Sequence, residues 1–416
     1  MSHLIVELYG VQLGRLVPEH RSFAFEVDPS VFEHYPLSTT IMSLSVPLSM
    51  KLTAAQKRRS VIFFEELLPE GRNLTWLLQT LPIDERNTYG FLKKYGMDSA
   101  GALLIYDPDE VLSTKKPRIE KVNSEQIRHL LDNMPQTPLA NSPISGKTSL
   151  GGVQGKIVLA KKRKSWYRVH DGAASTHILK PVTLEYPTMV YDEAFCMQLA
   201  VAVGLTLHPV WIESFAGVDA LVIERYDRKQ STDVVRIHQE DFNQALGARG
   251  DQKYQEVGGR VSAKRIAETL ERAGDNGDVS AFAAQLLFAI AIGNLDMHAK
   301  NVSVLHFSDG TVKLAPTYDQ VPLRHQPTDG RMALAIGNEY VHANLTREHL
   351  IRELLSWQSA TMSNETAVSS FVTEKLEVYR DALSQVTLHA KAYPKLPEDI
   401  DLILTRLLSG KAIGSL

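Results

Sequence analysis

The sequence predicts an α+β fold of two lobes with a small subdomain ahead of them. Three observations lead there. Short β-branched runs dominate from about Ser149 to Arg228, helical periodicity dominates after Arg228, and the first hundred or so residues mix both on a smaller scale. With 416 residues the chain is too long for one core. The reading divides it into an N-terminal subdomain (1–107), a linker (108–146), a strand-rich lobe (147–228) and a helical lobe (229–416).

In the subdomain, Leu4 to Leu8 and Gly14 to Leu16 read as strands around a turn at Tyr9-Gly10, and Ser22 to Val27 alternates aromatic and polar residues as a third. Ile41 to Met50 contains Pro47 and reads as extended. Ser60 to Leu68 and Asn73 to Leu81 have helical spacing, separated by Pro69-Glu70-Gly71. The stretch from Asp107 to Gly146 holds five prolines, Pro108, Pro117, Pro135, Pro138 and Pro143; it reads as linker around one short helix, Ser124 to Asn133. Lys156 to Ala160, His177 to Leu179 and Ala220 to Ile223 are the strands of the next lobe, with a helix from Asp192 to Val203 between two of them. Ser262 to Ala273, Val279 to Ile292, His349 to Ser356 and Glu365 to Val386 are helical.

Composition excludes several classes. Apolar residues are 44% and charged residues 22%, which suits a folded globular chain, and the formal net charge of −3 argues against binding nucleic acid through global charge. The single cysteine, Cys196, permits no intrachain disulfide and sits in an apolar run, so it reads as buried. No basic, apolar leader opens the chain, and the most apolar stretch, Ala281 to Ile292, is too short to span a bilayer. A cytoplasmic protein without membrane contact is expected.

The chemistry concentrates in Gly293-Asn294-Leu295-Asp296-Met297-His298-Ala299-Lys300-Asn301, which follows the apolar helix. Asp296 and Asn301 stand five apart, the spacing at which protein kinases place a proton-accepting carboxylate and a metal-binding amide. Lys300 between them can neutralise a transferring phosphoryl group. Two apolar runs around Ser308-Asp309-Gly310 form an expected hairpin, which brings Asp319 beside Asn301; an amide and a carboxylate there suit a hard cation. His298 is counted beside the cofactor as a packing or hydrogen-bonding group, since no second histidine stands at zinc-ligand spacing. Upstream, Ser149-Leu150-Gly151-Gly152-Val153-Gln154-Gly155-Lys156 precedes a strand, and its glycines allow backbone amides near phosphate. A Walker pattern fails, because Asn141 stands where a glycine is needed. Lys180 ends a strand and Glu193 lies on the next helix, the residue types with which kinases clamp ATP phosphates. Val222 to Arg228 reads as the junction of the lobes, where Glu224 and Tyr226 stand beside the nucleotide.

Taken together these segments resemble the HipA family of toxin kinases: Ser149 to Lys156, HILKP, DEAFCMQLA, IERYDR, HQEDF, GNLDMHAKN and LAPTYD, with Pro47-Leu48-Ser49 and FFEELLPEGR in the subdomain. The resemblance covers most of the chain in order. It implies a protein-kinase-like fold and an ATP- and Mg-dependent serine/threonine kinase, with Asp296 as base, Asn301 and Asp319 as metal ligands, Lys180 on phosphate and Ser149 as the autophosphorylated serine. A phosphate there adds roughly −1.5 to −2 charges and is expected to silence the enzyme. The resemblance further implies a type II toxin–antitoxin role. It brings a HipB-like DNA-binding antitoxin, DNA contact only through that partner, and an aminoacyl-tRNA synthetase as substrate. A competing reading is a nucleotide-loaded co-repressor acting through the antitoxin; the retained Asp296, Asn301, Asp319 and Lys180 speak against it. A small-molecule kinase is a further alternative, disfavoured by the N-terminal module and the Ser149 segment.

Overall fold

The computed structural model describes residues 3–20, 22–111, 116–134, 139, 141, 147–150, 154–229, 234–274 and 276–415. The chain forms two compact units. The first comprises 1–181, 213–240 and 305–311, and the second 182–212, 241–304 and 312–416.

In the first unit, among the described residues, β1 (Leu4–Leu8), β2 (Val11–Glu19), β3 (Ser22–Val27) and β4 (Leu104–Tyr106) form a sheet in the order β3-β2-β1-β4. Helices α1 (Ala54–Glu65), α2 (Gly71–Gln79) and α3 (Thr88–Tyr95) complete this layer. Alternation along β3 turns Phe23 and Phe25 inward, where both meet Phe64 of α1 at 6.0 and 5.4 Å between ring centroids. Thr53 and Gln56 close a capping box at the start of α1.

A second sheet follows the one-turn helix α4 (Pro108–Val111). It contains β5 (Arg118–Val122), β6 (Ile157–Lys162), β7 (Ser165–His170), β8 (His177–Pro181), β9 (Val210–Phe215) and β10 (Val218–Glu224), ordered β5-β7-β6-β8-β10-β9. β5 lies in the segment read as linker. Its proline, Pro117, immediately precedes the strand, and β5 is an edge strand, where proline is tolerated. Helix α5 (Ser124–Asp132) stands where expected, with a capping box from Asn123 and Gln126.

The segment 41–50 is not a strand. It is a buried coil held by side chains: Glu240 accepts hydrogen bonds from Ser43 Oγ (2.5 Å) and the Leu44 amide (2.9 Å), and His306 Nε2 lies 3.1 Å from the same carboxylate. Next to this group His238 is neutral, because burial and the nearby His306 lower its pKa to about 3.

The charged run Arg225 to Arg228 turns inward instead of reaching solvent. Asp98, Arg225, Asp227 and Arg228 are all buried. Arg228 pairs with Asp98 (3.1 Å) and Asp227 (2.9 Å), Arg225 pairs with Asp227 (2.7 Å), and Arg236 approaches Asp98 at 3.7 Å. Asp98 also accepts from Ser175 Oγ (2.7 Å) and Thr148 Oγ1 (3.2 Å). The subdomain and the strands 157–181 share one compact unit.

The second unit carries α6 (Met189–Ala202), α7 (Phe242–Leu246), α8 (Ala263–Ala273), α9 (Asn276–Ala291), α10 (Arg347–Ser356), α11 (Glu365–Ala382) and α12 (Leu396–Leu408). Helix α9 is buried almost all round from Val279 to Ala291. Phe282 stacks on Trp357 (5.3 Å), and Phe288 meets Tyr379 edge-on (5.4 Å). The cysteine reading holds, since Cys196 on α6 is buried and burial pushes its thiol up. Short strands complete the chain. β11 (Arg228–Lys229) pairs with β12 (Val235–Arg236); β13 (His238–Asp241), β14 (Ser303–His306) and β15 (Val312–Leu314) form one sheet; β16 (Arg331–Ile336) pairs with β17 (Glu339–Val341). Among the described residues no helix is long and apolar enough to cross a membrane.

Burial alone would raise the Asp98 carboxyl, but Arg228, Arg236 and Arg225 hold it below the ordinary carboxylate range. Asp98→Ala leaves guanidinium groups buried without that partner, and the expected cost is about 3–5 kcal/mol in urea unfolding. The contribution of Asp98 is fully present above the ordinary value near 4 and is lost as pH falls through the lowered folded value. The wild type should therefore lose more stability on acidification than Asp98→Ala.

Candidate active site

The end of α9 builds the loop. The helix closes at Ala291, and Gly293 takes a left-handed backbone (φ +71°) that reverses the chain. A Cβ at this position would stand 2.7 Å from Arg324 Cβ, so glycine answers both a backbone and a space requirement. The Gly293 carbonyl accepts from the Leu323 amide (2.9 Å), which ties the loop to the segment following Asp319.

Asn294 Oδ1 accepts from the Asp296 amide (3.0 Å), while its Nδ2 lies 3.4 Å from the Asp319 carbonyl. The Asn301 Nδ2 donates to the Asp296 carbonyl (2.8 Å), which closes 296–301 into one rigid loop and leaves the amide oxygen as its other arm. The expected hairpin forms. Ala315 N–H donates to the Ser303 carbonyl (2.8 Å), and the Tyr318 hydroxyl contacts Ser303 Oγ (2.6 Å) and the Lys300 carbonyl (2.7 Å). These bonds bracket Asn301 on one side and Asp319 on the other. Asp319 itself has φ +55°, an unusual backbone for a residue with a side chain and one found repeatedly at functional positions.

The Asp296 carboxylate is about half exposed (46%). Tyr254 donates its hydroxyl to Oδ1 (3.1 Å), and His298 Nε2 lies 3.8 Å from Oδ2. Tyr254 and His298 meet edge-on, with ring centroids 5.4 Å apart. His298 thus sits beside the Asp296 carboxylate, packed against Tyr254. Lys300 Nζ stands 3.8 Å from Asp241 Oδ2, and Asp241 caps α7 in a capping box with Gln244. Sequence reasoning missed Tyr254 and Asp241. Tyr254 lies in the turn-rich stretch after α7, and no spacing to Asp296 betrays it; HQEDF, which contains Asp241, was noted without a role.

The remaining candidates are distributed between the units. Glu193, Asp296, His298, Lys300, Asn301 and Asp319 belong to the second. Ser149, Gln154, Gly155, Lys156, Lys180, Glu224 and Tyr226 belong to the first. Gly151, Gly152 and Val153 lie outside the described residues. Lys180 is buried in β8 opposite Leu221 of β10, and Glu224 faces His177 across the same pair. Glu193 is buried on α6. Ser149 is fully buried, its hydroxyl donating to the Leu67 carbonyl (2.8 Å) and its amide to the Asp98 carbonyl (3.0 Å).

Among the described residues no group of three His, Cys, Asp or Glu side chains could hold a metal ion by itself. The pair Asn301 and Asp319 offers hard oxygen donors, which fits a Mg²⁺ that takes one carboxylate from protein and other oxygens from phosphate and water.

Comparison with known proteins decides the family. Residues 148–387 match the HipA-like C-terminal domain and residues 4–106 the HipA N-terminal domain. The chain belongs to the HipA family. Y4mE of Sinorhizobium fredii, named as a candidate kinase, is 34% identical over 313 residues, covering 73% of this chain and 74% of that one. The serine/threonine-protein kinase toxin HipA of Shewanella oneidensis is 28% identical over 323 residues, 74% of this chain and 71% of that one. A solved complex of Shewanella oneidensis HipA with HipB and operator DNA matches with a TM-score of 0.78 at 22% identity, covering 98% of this chain and 96% of that chain. The expected α+β, kinase-like HipA fold is thus the fold observed.

Gly293→Ala should lower stability by about 1–3 kcal/mol in thermal or denaturant unfolding, because the added methyl meets both a left-handed backbone and Arg324. Gly310→Ala, at positive φ but with open space around it, should cost less.

Proposed function

We propose that this HipA-family chain is an ATP- and Mg²⁺-dependent serine/threonine protein kinase, the toxin of a type II toxin–antitoxin pair. The observation that carries the reading is the closed loop 296–301, in which one bond from Asn301 to the Asp296 carbonyl fixes base and metal ligand together. In this reading the substrate hydroxyl gives its proton to Asp296 as its oxygen bonds to the γ-phosphorus, and the bond from that phosphorus to the ADP oxygen breaks. Tyr254 donates its hydroxyl to Oδ1 and so orients the carboxylate. Lys300 offsets negative charge on the transferred group. Mg²⁺, held by Asn301 and Asp319, would supply charge neutralisation at the phosphates. Lys180 and Lys156, with the segment from Gly151 to Gly155, would hold the nucleotide.

The proposal extends to Ser149 as the autophosphorylated residue and to a HipB-like DNA-binding antitoxin as partner. The protein substrate is proposed to be a translation factor, an aminoacyl-tRNA synthetase by family resemblance. Likeness to the Shewanella oneidensis kinase toxin supports the activity, and the fold shared with the HipA of the HipB–DNA complex supports the partner. Because the Ser149 hydroxyl is buried against Leu67, modification requires the segment 147–150 to leave that position first.

Transfer from labelled ATP tests the reading. Asp296→Ala should abolish transfer while unfolding as the wild type does; turnover retained in that variant removes Asp296 as the base. Label in the wild type should map to Ser149, and label confined to another residue overturns the switch. Asp319→Ala should weaken MgATP binding by on the order of tenfold in calorimetric titration; unchanged affinity excludes Asp319 as a metal ligand.

A further inference from the structure

Asp192 is a charged residue buried on an apolar helix that no step above uses. It lies in the first turn of α6, one position before Glu193, and is fully buried. Such a carboxylate persists only where partners satisfy it. Its two oxygens reach two different chain segments. Oδ1 accepts the Tyr393 backbone N–H (2.7 Å), and Oδ2 lies 3.2 Å from His325 Nε2. His325 follows Asp319 by six residues, on the segment whose Leu323 amide is tied to Gly293. Tyr393 belongs to the turn-rich stretch between α11 and α12, beyond the residues matched by the family domain.

The three segments are also joined by rings. His325 stacks on Tyr393 with centroids 4.4 Å apart and planes 2° from parallel. Tyr191, beside Asp192, stacks on His389 (4.6 Å, 10°), and Lys391 Nζ lies 5.8 Å over the Tyr191 ring. The stretch is itself stiffened by bonds from Ala392 N to the His389 carbonyl (2.9 Å) and from Leu396 N to the Tyr393 carbonyl (3.1 Å). Two stacks and a two-armed carboxylate on one helical turn are more than packing of an apolar helix needs.

We propose that Asp192 is a positioning residue, and that the stretch 389–393 is a strap which, through Asp192 and His325, sets α6 and the segment after Asp319 in one fixed arrangement. The arrangement fixes Glu193 and Asp319 with a single junction. This rests on the kinase reading for its effect on turnover, but the clamp itself can be measured without it.

The experiment uses the full chain and four variants, Asp192→Ala, His325→Ala, Tyr393→Ala and Tyr393→Phe, with two readouts. Hydrogen exchange should accelerate across 189–202 and 319–326 in the alanine variants and remain as in the wild type in Tyr393→Phe, which keeps the stack. Label transfer should show kcat reduced on the order of tenfold in the alanine variants, with KM for ATP changed less, and rescue in Tyr393→Phe. Unchanged exchange in both segments overturns the clamp. Faster exchange with unchanged kcat overturns the positioning role. Absence of transfer in the wild type removes the kinase reading and the effect on turnover, while exchange still decides whether the strap holds α6. Asp192→Ala is the direct deletion, and the two ring variants keep the test intact if that protein does not fold.

Discussion

The buried carboxylate of Asp98 is the interaction on which the first unit depends. Its partners come from four separated stretches: Thr148, Ser175, Arg228 and Arg236. Its own backbone receives the Ser149 amide and donates to the Lys147 carbonyl. A carboxylate so deeply placed is costly unless each oxygen is satisfied, and the guanidinium groups answer that cost only while their other bonds stay in place. Arg228 also donates to the Gly101 and Ser99 carbonyls, and Arg225 to Ser99. The network thus fixes backbone as well as charge. It spans the subdomain and the strands that follow it, which share one compact unit.

The site in the second unit works by a different economy of means. Few of its fixed points are ion pairs; most are main-chain carbonyls receiving one amide or hydroxyl. Asn301, Asn294 and Tyr318 each use a side chain to hold backbone, which determines where the loop lies without an ion pair. The apolar helix α9 beneath supplies rigidity, and Gly293 supplies the reversal that its sealed end needs.

Much of this was legible in the sequence. Strands β1 and β3 and helices α5, α6, α8 and α9 follow from period and punctuation to within a few residues, because each buries one face or all faces in a regular way. The Asp296–Asn301 loop and the hairpin leading to Asp319 were equally readable, since both are local. Long-range partners were not. Nothing local in the run Arg225 to Arg228 announces that its guanidinium groups meet Ser99 and Asp98, over a hundred residues away. Strand β5 was hidden by proline density, and Tyr254 by the lack of any spacing rule linking it to Asp296. Burial of Ser149 depends on the carbonyl of Leu67, which no pattern announces.

The charge balance of the Asp98 network limits which substitutions it tolerates. Three guanidinium groups, the buried Arg225 and Arg228 and the partly buried Arg236, face two buried carboxylates, Asp98 and Asp227. Replacing any one alone leaves a buried charge or a carbonyl without its donor. Lysine in place of arginine keeps the charge but cannot span the three carbonyls and two carboxylates that Arg228 joins. A single replacement in this network therefore carries the cost of an unsatisfied buried group, which only coordinated changes avoid.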